Sequence, residues 1–260
     1  MSAPLDGRTI VVTRPAAQSG RFIELATHAG ARCIAFPTLD IERLPLSTDS
    51  LEDVGNTTWD WAIYTSTNAV EATFDAFGRA PAARHAAAVG RATARALEQR
   101  GVSVSLRPET ASSEGLLASP ELQAVANARV LLVKGEGGRD LLRETLTVRG
   151  ARVRTLEVYR RALARPTPEA RSLLHATLVR DPHVVIAVTS AEVLAALLQL
   201  VGADEAALLR TRTLLAPGAR VAATARELGW AGPIVQAATA EDDAMLRALQ
   251  GASGGTAPPA

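Results

Sequence analysis

Ala62-Ile63-Tyr64-Thr65-Ser66 and Ile186-Ala187-Val188-Thr189-Ser190 carry one signal twice: a short apolar run that stops at Thr-Ser and opens a helix-patterned stretch. A run this short, followed by apolar residues three and four apart, reads as a strand feeding a helix. Such units build parallel sheets. The same pattern recurs outward along the chain. Apolar runs stand at 9–13, 61–64, 86–89, 102–106, 130–133, 184–188, 213–216 and 234–236. The expected fold class is α/β.

The units also resemble one another in pairs. Val89-Gly90, followed by Arg91-Ala92-Thr93-Ala94-Arg95, parallels Pro217-Gly218 and its helix ending at Gly229. Ser112-Ser113-Glu114 before Leu116-Leu117 parallels Thr239-Ala240-Glu241 before Met245-Leu246. The run at 130–133, Gly138-Arg139 and Gly150-Ala151-Arg152 parallel the run at 10–13, Gly20-Arg21 and Gly30-Ala31-Arg32. Mid-chain the order is Thr-Ser turn, Gly turn, acidic cap, Gly-Arg unit. At the C-terminal end the first three recur, but their Gly-Arg partner sits at the N-terminus. That permutation implies two similar domains, each a parallel sheet flanked by helices, with one inserted in the other. Domain 1 is expected at 1–35 plus 163–250 and domain 2 at 43–155. Segments 36–42 and 156–162 then cross between them as a two-stranded β-ladder linker. The Gly-, Ala- and Pro-rich residues 251–260 read as a disordered tail.

Composition narrows the function. At 47% hydrophobic and 21% charged residues the chain can build a real core, and its net charge of +1 gives no field for nucleic acid or membrane. Aromatics at 3% do not furnish a base-stacking surface. No apolar run approaches the roughly 18–20 residues that span a bilayer. Residues 1–9 lack a secretion-signal pattern, so a cytoplasmic location is expected. Cys33 stands alone, which excludes an internal disulfide and suits a reducing compartment; the bland reading is a small buried hydrophobe. The four histidines, at 28, 85, 175 and 183, match no metal-ligand spacing, and no metal is expected. Lys134 is the sole lysine; all other cations are arginine, whose planar fork suits carboxylates.

In open parallel sheets ligands bind beyond the carboxyl ends of the strands, where helix N-termini favour anions. The residues expected there are small and polar: Thr65-Ser66-Thr67-Asn68, Gly90-Arg91-Ala92-Thr93, Gly135-Glu136-Gly137-Gly138-Arg139 and Thr189-Ser190-Ala191. Any one of these also reads as an ordinary helix cap. Their multiplicity is the argument for a ligand. No Gly-x-Ser-x-Gly elbow, P-loop or Gly-x-Gly-x-x-Gly fingerprint is present. Tyr159, at the end of the second crossing segment, is a candidate proton donor or an amphipathic edge residue. Arg14, closing the first strand, either faces the same ligand or is simply solvated.

Taken in order, these motifs resemble the uroporphyrinogen-III synthase family over nearly the whole chain. The matching stretches are Val12-Thr13-Arg14-Pro15, Tyr64-Thr65-Ser66-Thr67-Asn68-Ala69-Val70, Val89-Gly90-Arg91-Ala92-Thr93-Ala94, Gly138-Arg139-Asp140-Leu141-Leu142, Val158-Tyr159-Arg160 and Val188-Thr189-Ser190. The resemblance implies two α/β domains with a cleft between them and no cofactor. It implies hydroxymethylbilane, a linear tetrapyrrole with eight carboxylates, as substrate. The family's reaction expels the terminal hydroxyl as water, and ring D closes through a spiro intermediate with inversion. By this carry-over Tyr159 assists departure of the hydroxyl and Thr93 positions the substrate. Arg14, Arg91 and Arg139 join the turns, Gly218 included, in holding carboxylates. A transient handover from the bilane-producing enzyme, and a monomer, are expected. In Pro217-Gly218-Ala219-Arg220-Val221 the family's threonine falls on Val221, so either a hydroxyl is lost there or the two turns align differently. The alternatives are a non-catalytic two-domain sensor of a small anion, which needs no phenol, and a nucleotide-sugar transferase, which needs a nucleotide site not seen here.

Overall fold

The computed structural model describes residues 3–253. Its strands are β1 (Thr9–Val12), β2 (Arg32–Ala35), β3 (Leu39–Arg43), β4 (Trp59–Tyr64), β5 (Ala83–Ala88), β6 (Arg129–Gly135), β7 (Arg152–Leu163), β8 (Val185–Ala187), β9 (Thr213–Pro217) and β10 (Ile234–Ala237). Its α-helices are α1 (Gly20–His28), α2 (Thr48–Asn56), α3 (Thr67–Phe77), α4 (Arg91–Glu98), α5 (Ser113–Ala118), α6 (Leu141–Val148), α7 (Pro168–Arg180), α8 (Ala191–Leu200), α9 (Ala203–Thr211), α10 (Gly218–Glu227) and α11 (Asp242–Ser253). Two compact units result, one from residues up to Asp40 with those from Ala162 on, the other Ile41–Arg161.

The first unit holds a five-stranded sheet ordered β10-β9-β8-β1-β2, and its ladders are parallel. Alternation along the strands loads both faces. Ile10, Val12, Val185, Ala187 and Leu215 pack on α1 and α11, while Val11, Ile186, Val188 and Leu214 pack on α7–α10. Apolar contact on both faces is what a sheet covered by helices on both sides requires.

The second unit holds a five-stranded sheet ordered β3-β7-β6-β4-β5. Ala62, Tyr64, Leu131 and Val133 pack on α2–α4, and Trp61, Ile63, Val130 and Leu132 on α5 and α6. Register exposes the permutation. Arg129 pairs with Arg152 as Thr9 pairs with Arg32, so β6-β7 matches β1-β2, and β4-β5 matches β8-β9. Strand β3 is the addition. It runs antiparallel to β7, with Leu44 N–H donating to the Val158 carbonyl at 3.1 Å and Ala164 N–H to that of Thr38 at 3.0 Å.

Two expectations change. The apolar run at 102–106 makes no strand and meets the sheet through a single bridge, Ala87 to Leu106. Its side chains still pack, Val102 and Val104 against one layer and Leu106 in the other. Pro108, two residues on, has no N–H with which to lengthen the ladder. The tail begins later than expected, because α11 continues to Ser253; extending a formed helix is far easier than starting one. Residues 254–260 of that expected tail lie outside the described residues.

Candidate functional site

Each sheet reverses its order of growth beside the strand that ends in Thr-Ser. In the first unit the chain runs from β1 outward to β2, then returns to β8 on the other side of β1. In the second the neighbours at that point are β4 and β6. Helices leave from opposite faces there, which opens a crevice at the carboxyl ends of the two strands. The sequence-derived site residues fall into two groups, one in each unit, at or beside these strand ends.

In the second unit Thr65 closes β4, its N–H and Oγ1 both donating to the Val133 carbonyl at 3.1 and 3.3 Å. Ser66 is the N-cap of α3, with φ −160° and ψ 164°, and its Oγ accepts the Ala69 N–H at 3.1 Å. This cap satisfies a first-turn donor and leaves the positive end of the helix at the crevice. Thr67 begins the helix; Asn68 is buried, and its carbonyl accepts from Arg43 at 3.4 Å. Tyr159 arrives on β7 and is 2% exposed, with its Oη 3.0 Å from Ser66 Oγ. Arg161 Nη2 lies 3.5 Å from the same hydroxyl, and its guanidinium carbon is 5.9 Å from the ring centre.

The other second-unit residues stand at neighbouring strand ends. Gly90 caps α4 at φ −149°, a conformation open to any residue, while Arg91 is exposed on the first turn and Thr93 is buried. Gly137 and Gly138 have φ of +72° and +78°, so the β6-to-α6 turn does need glycine. Arg139 pairs with Glu114 at the start of α5, and this hydrogen-bonded partner holds the Glu114 carboxyl below its ordinary range. Lys134, the sole lysine, is buried and donates to Asp140 at 3.2 Å, with Glu157 at 4.0 Å. Asp140 is held low by Arg143 first and Lys134 second.

In the first unit Ser190 repeats the cap, with φ −160°, ψ 165° and the Val193 N–H at 3.2 Å. Thr189 precedes it, Ala191 opens α8, and Gly218 opens α10 at φ +69°. Arg14 is 8% exposed and bonds to Asp242 at the start of α11; its guanidinium carbon sits 5.0 Å over the Phe22 ring. It is therefore an internal ion pair, not a solvated cation. Carrying the two registers forward sets Gly218 at Gly90's position and Val221 at Thr93's, so the turns align without a gap. A buried valine stands where the second unit has a buried threonine.

Sequence reasoning did not single out Arg161, nor Gly135 as the residue facing Tyr159 across the β6–β7 ladder. A glycine ending an apolar strand was the available signal, because it marks close approach of another group.

Comparison with known proteins follows the same lines. The family model described as uroporphyrinogen-III synthase HemD matches residues 20–247. The uroporphyrinogen-III synthase of Salmonella typhimurium is 36% identical over 252 residues, which cover 93% of this chain and all of that one. That of Escherichia coli is 34% identical over 257 residues, with the same coverage. A crystal structure of a mutant uroporphyrinogen III synthase from Thermus thermophilus superposes with a TM-score of 0.59 at 26% identity, covering 94% of this chain and all of that one.

Proposed function

The chain belongs to the uroporphyrinogen-III synthase family, cyclising lyases of tetrapyrrole biosynthesis, and on that premise we propose that it closes hydroxymethylbilane with inversion of ring D, using Tyr159 as the proton donor. The observation that carries the assignment of roles is the Tyr159 hydroxyl, 3.0 Å from Ser66 Oγ at a helix N-terminus beside the strand-order reversal.

The chemistry asks little of a nucleophile. The bilane loses water and cyclises unaided to the wrong isomer, so the enzyme's work is orientation and transition-state fit. Helix N-termini favour anions, and each unit offers such ends to substrate carboxylates: the capped start of α3 and the Gly90 turn in the second, the capped start of α8 and the Gly218 turn in the first. Tyr159 gives its proton to the departing hydroxyl, which leaves as water. The pyrrole nitrogen's electron pair pushes it out and leaves an electrophilic azafulvene. The substituted carbon of ring D attacks, giving the spiro intermediate, which fragments and recloses with the ring turned over. Thr93 positions the substrate, and Arg91 joins in holding it. Arg14 and Arg139 contribute through the charge they place beside the turns, since each already has a carboxylate partner.

The test is product identity. The purified protein is incubated with hydroxymethylbilane and the type I and type III isomers are resolved. Type III as the major product is expected; type I alone, formed at the spontaneous rate, overturns the reading. We place the enzyme in the cytoplasm, where the lone Cys33 thiol stays reduced. A handover from the bilane-forming enzyme would shorten the substrate's exposure to spontaneous closure. Diluting the two enzymes together and finding the type I share that free diffusion gives would remove that handover.

A further inference from the structure

Tyr159 meets β6 where the ladder slips. Lys134 faces Glu157, but the next residue, Gly135, faces Tyr159, and Val158 is skipped. Sequence neighbours on a regular strand point to opposite faces; this bulge sends both Val158 and Tyr159 into one apolar cluster, the layer that contains Tyr64 and α3. A Cβ on Gly135 would lie 2.6 Å from Tyr159 Cζ, 2.8 Å from Cε2 and 2.9 Å from Oη. Those atoms form the hydroxyl end of the ring. The φ of Gly135 is not in the left-handed region, so the glycine is there for space and not for a turn. At the ring's hydroxyl, Ser66 Oγ is 3.0 Å away, and that oxygen already accepts the Ala69 N–H at 3.1 Å.

We propose that Gly135 and Ser66 are positioning residues that together seat the Tyr159 phenol. Gly135 supplies the space for the hydroxyl end of the ring. Ser66, one lone pair engaged by the helix, donates its own proton to Tyr159 Oη, so the phenol proton is free to point at the departing hydroxyl. The inference rests on Tyr159 being the proton donor, and the test separates the two claims.

The chain has only two tyrosines, Tyr64 and Tyr159, so protein labelled with 13C at tyrosine Cζ gives two signals, assigned with Tyr64→Phe. Gly135→Ala is expected to move or broaden the Tyr159 signal and spare that of Tyr64. It should lower kcat about tenfold or more, in proportion to a misplaced general acid, with KM within about threefold. Ser66→Ala, which adds no bulk, should shift the same signal and lower kcat in the same sense, so the seat is tested even if Gly135→Ala does not fold. Gly55→Ala, whose Cβ meets open space, should change neither reading. In a Tyr159→Phe background both substitutions should cost less than about twofold, because they act through the phenol. An unmoved Tyr159 signal in both variants, or an undiminished loss of kcat in the Tyr159→Phe background, overturns the seat. If the signal moves while Tyr159→Phe turns over at the full rate, the seat stands and the donor assignment falls.

Discussion

The Ser66 and Ser190 turns are alike in backbone and unlike in company. Their φ and ψ agree within a degree, and each serine caps its helix at 3.1–3.2 Å. Register then pairs residues around them, and at two positions the second unit carries a hydroxyl where the first carries hydrocarbon. Tyr64 matches Val188 and Thr93 matches Val221, while Tyr159 stands past the slip in the β6–β7 ladder. All five are buried. The charges differ as well. In the first unit Arg14 and Asp242 keep 9% and 16% of their side chains exposed, while in the second Arg139 and Glu114 keep 66% and 52%. One fold thus carries two sets of side chains: the first unit keeps the backbone turns and a tight internal ion pair, and the second sets buried hydroxyls beside them.

The sharpest way to break this contrast is through the ion pairs. Arg14→Ala strands a partly buried carboxylate and removes the contact over Phe22, and should cost about 2–3 kcal/mol in urea unfolding. Arg139→Ala, at a solvated pair, should leave the urea midpoint near that of the parent protein. An Arg14→Ala protein of parental stability but raised KM would make that arginine a substrate ligand first.

Next comes the phenol. Tyr159→Phe should lower kcat by about 10- to 100-fold and leave KM within about threefold, at or below the foot of the usual range for a general acid because this elimination is intrinsically easy. Unchanged turnover would remove its catalytic role. The two serines then separate capping from chemistry. Ser66→Ala and Ser190→Ala should each cost about 1 kcal/mol of stability through the lost cap. Only the first should depress kcat; equal depression by both would mean that the turns do the same work.

The smallest effect is at Tyr64. Its hydroxyl is buried with no hydrogen-bond partner among the described residues, and burial pushes its pKa well above the ordinary phenol value. Tyr64→Phe should be neutral or stabilising by up to about 1 kcal/mol, since Val188 fills the matching place without an oxygen. With a raised folded-state pKa, stability is intact below the ordinary phenol pKa of about 10 and falls as pH rises beyond it. Thermal melts should show that alkaline loss reduced in Tyr64→Phe.

Much of this was legible in the sequence because it is local or periodic. Short apolar runs, Thr-Ser caps and the order of turn types are written within a few residues, and comparing their order exposed the permutation. What stayed hidden depends on residues far apart in the chain. Arg14 finds Asp242 228 positions away. The slip that turns Tyr159 onto Gly135 is a property of two strands together; the glycine marks that some group comes close and does not say which. The run at 102–106 has strand composition, but ladder formation is settled by its neighbour and by Pro108.

The insertion of one unit within the other also sets a timetable for synthesis. Ile10 pairs with Val185, so β1 leaves the ribosome about 175 residues before its partner β8 exists. At on the order of ten residues per second, that is a wait of well over ten seconds. The second unit, whose sequence is continuous, emerges whole during that interval and is free to fold while β1, α1 and β2 hold an apolar face without a partner. In the nascent chain the half that carries the phenol should mature first, and exposure to misassociation should concentrate in the first 40 residues.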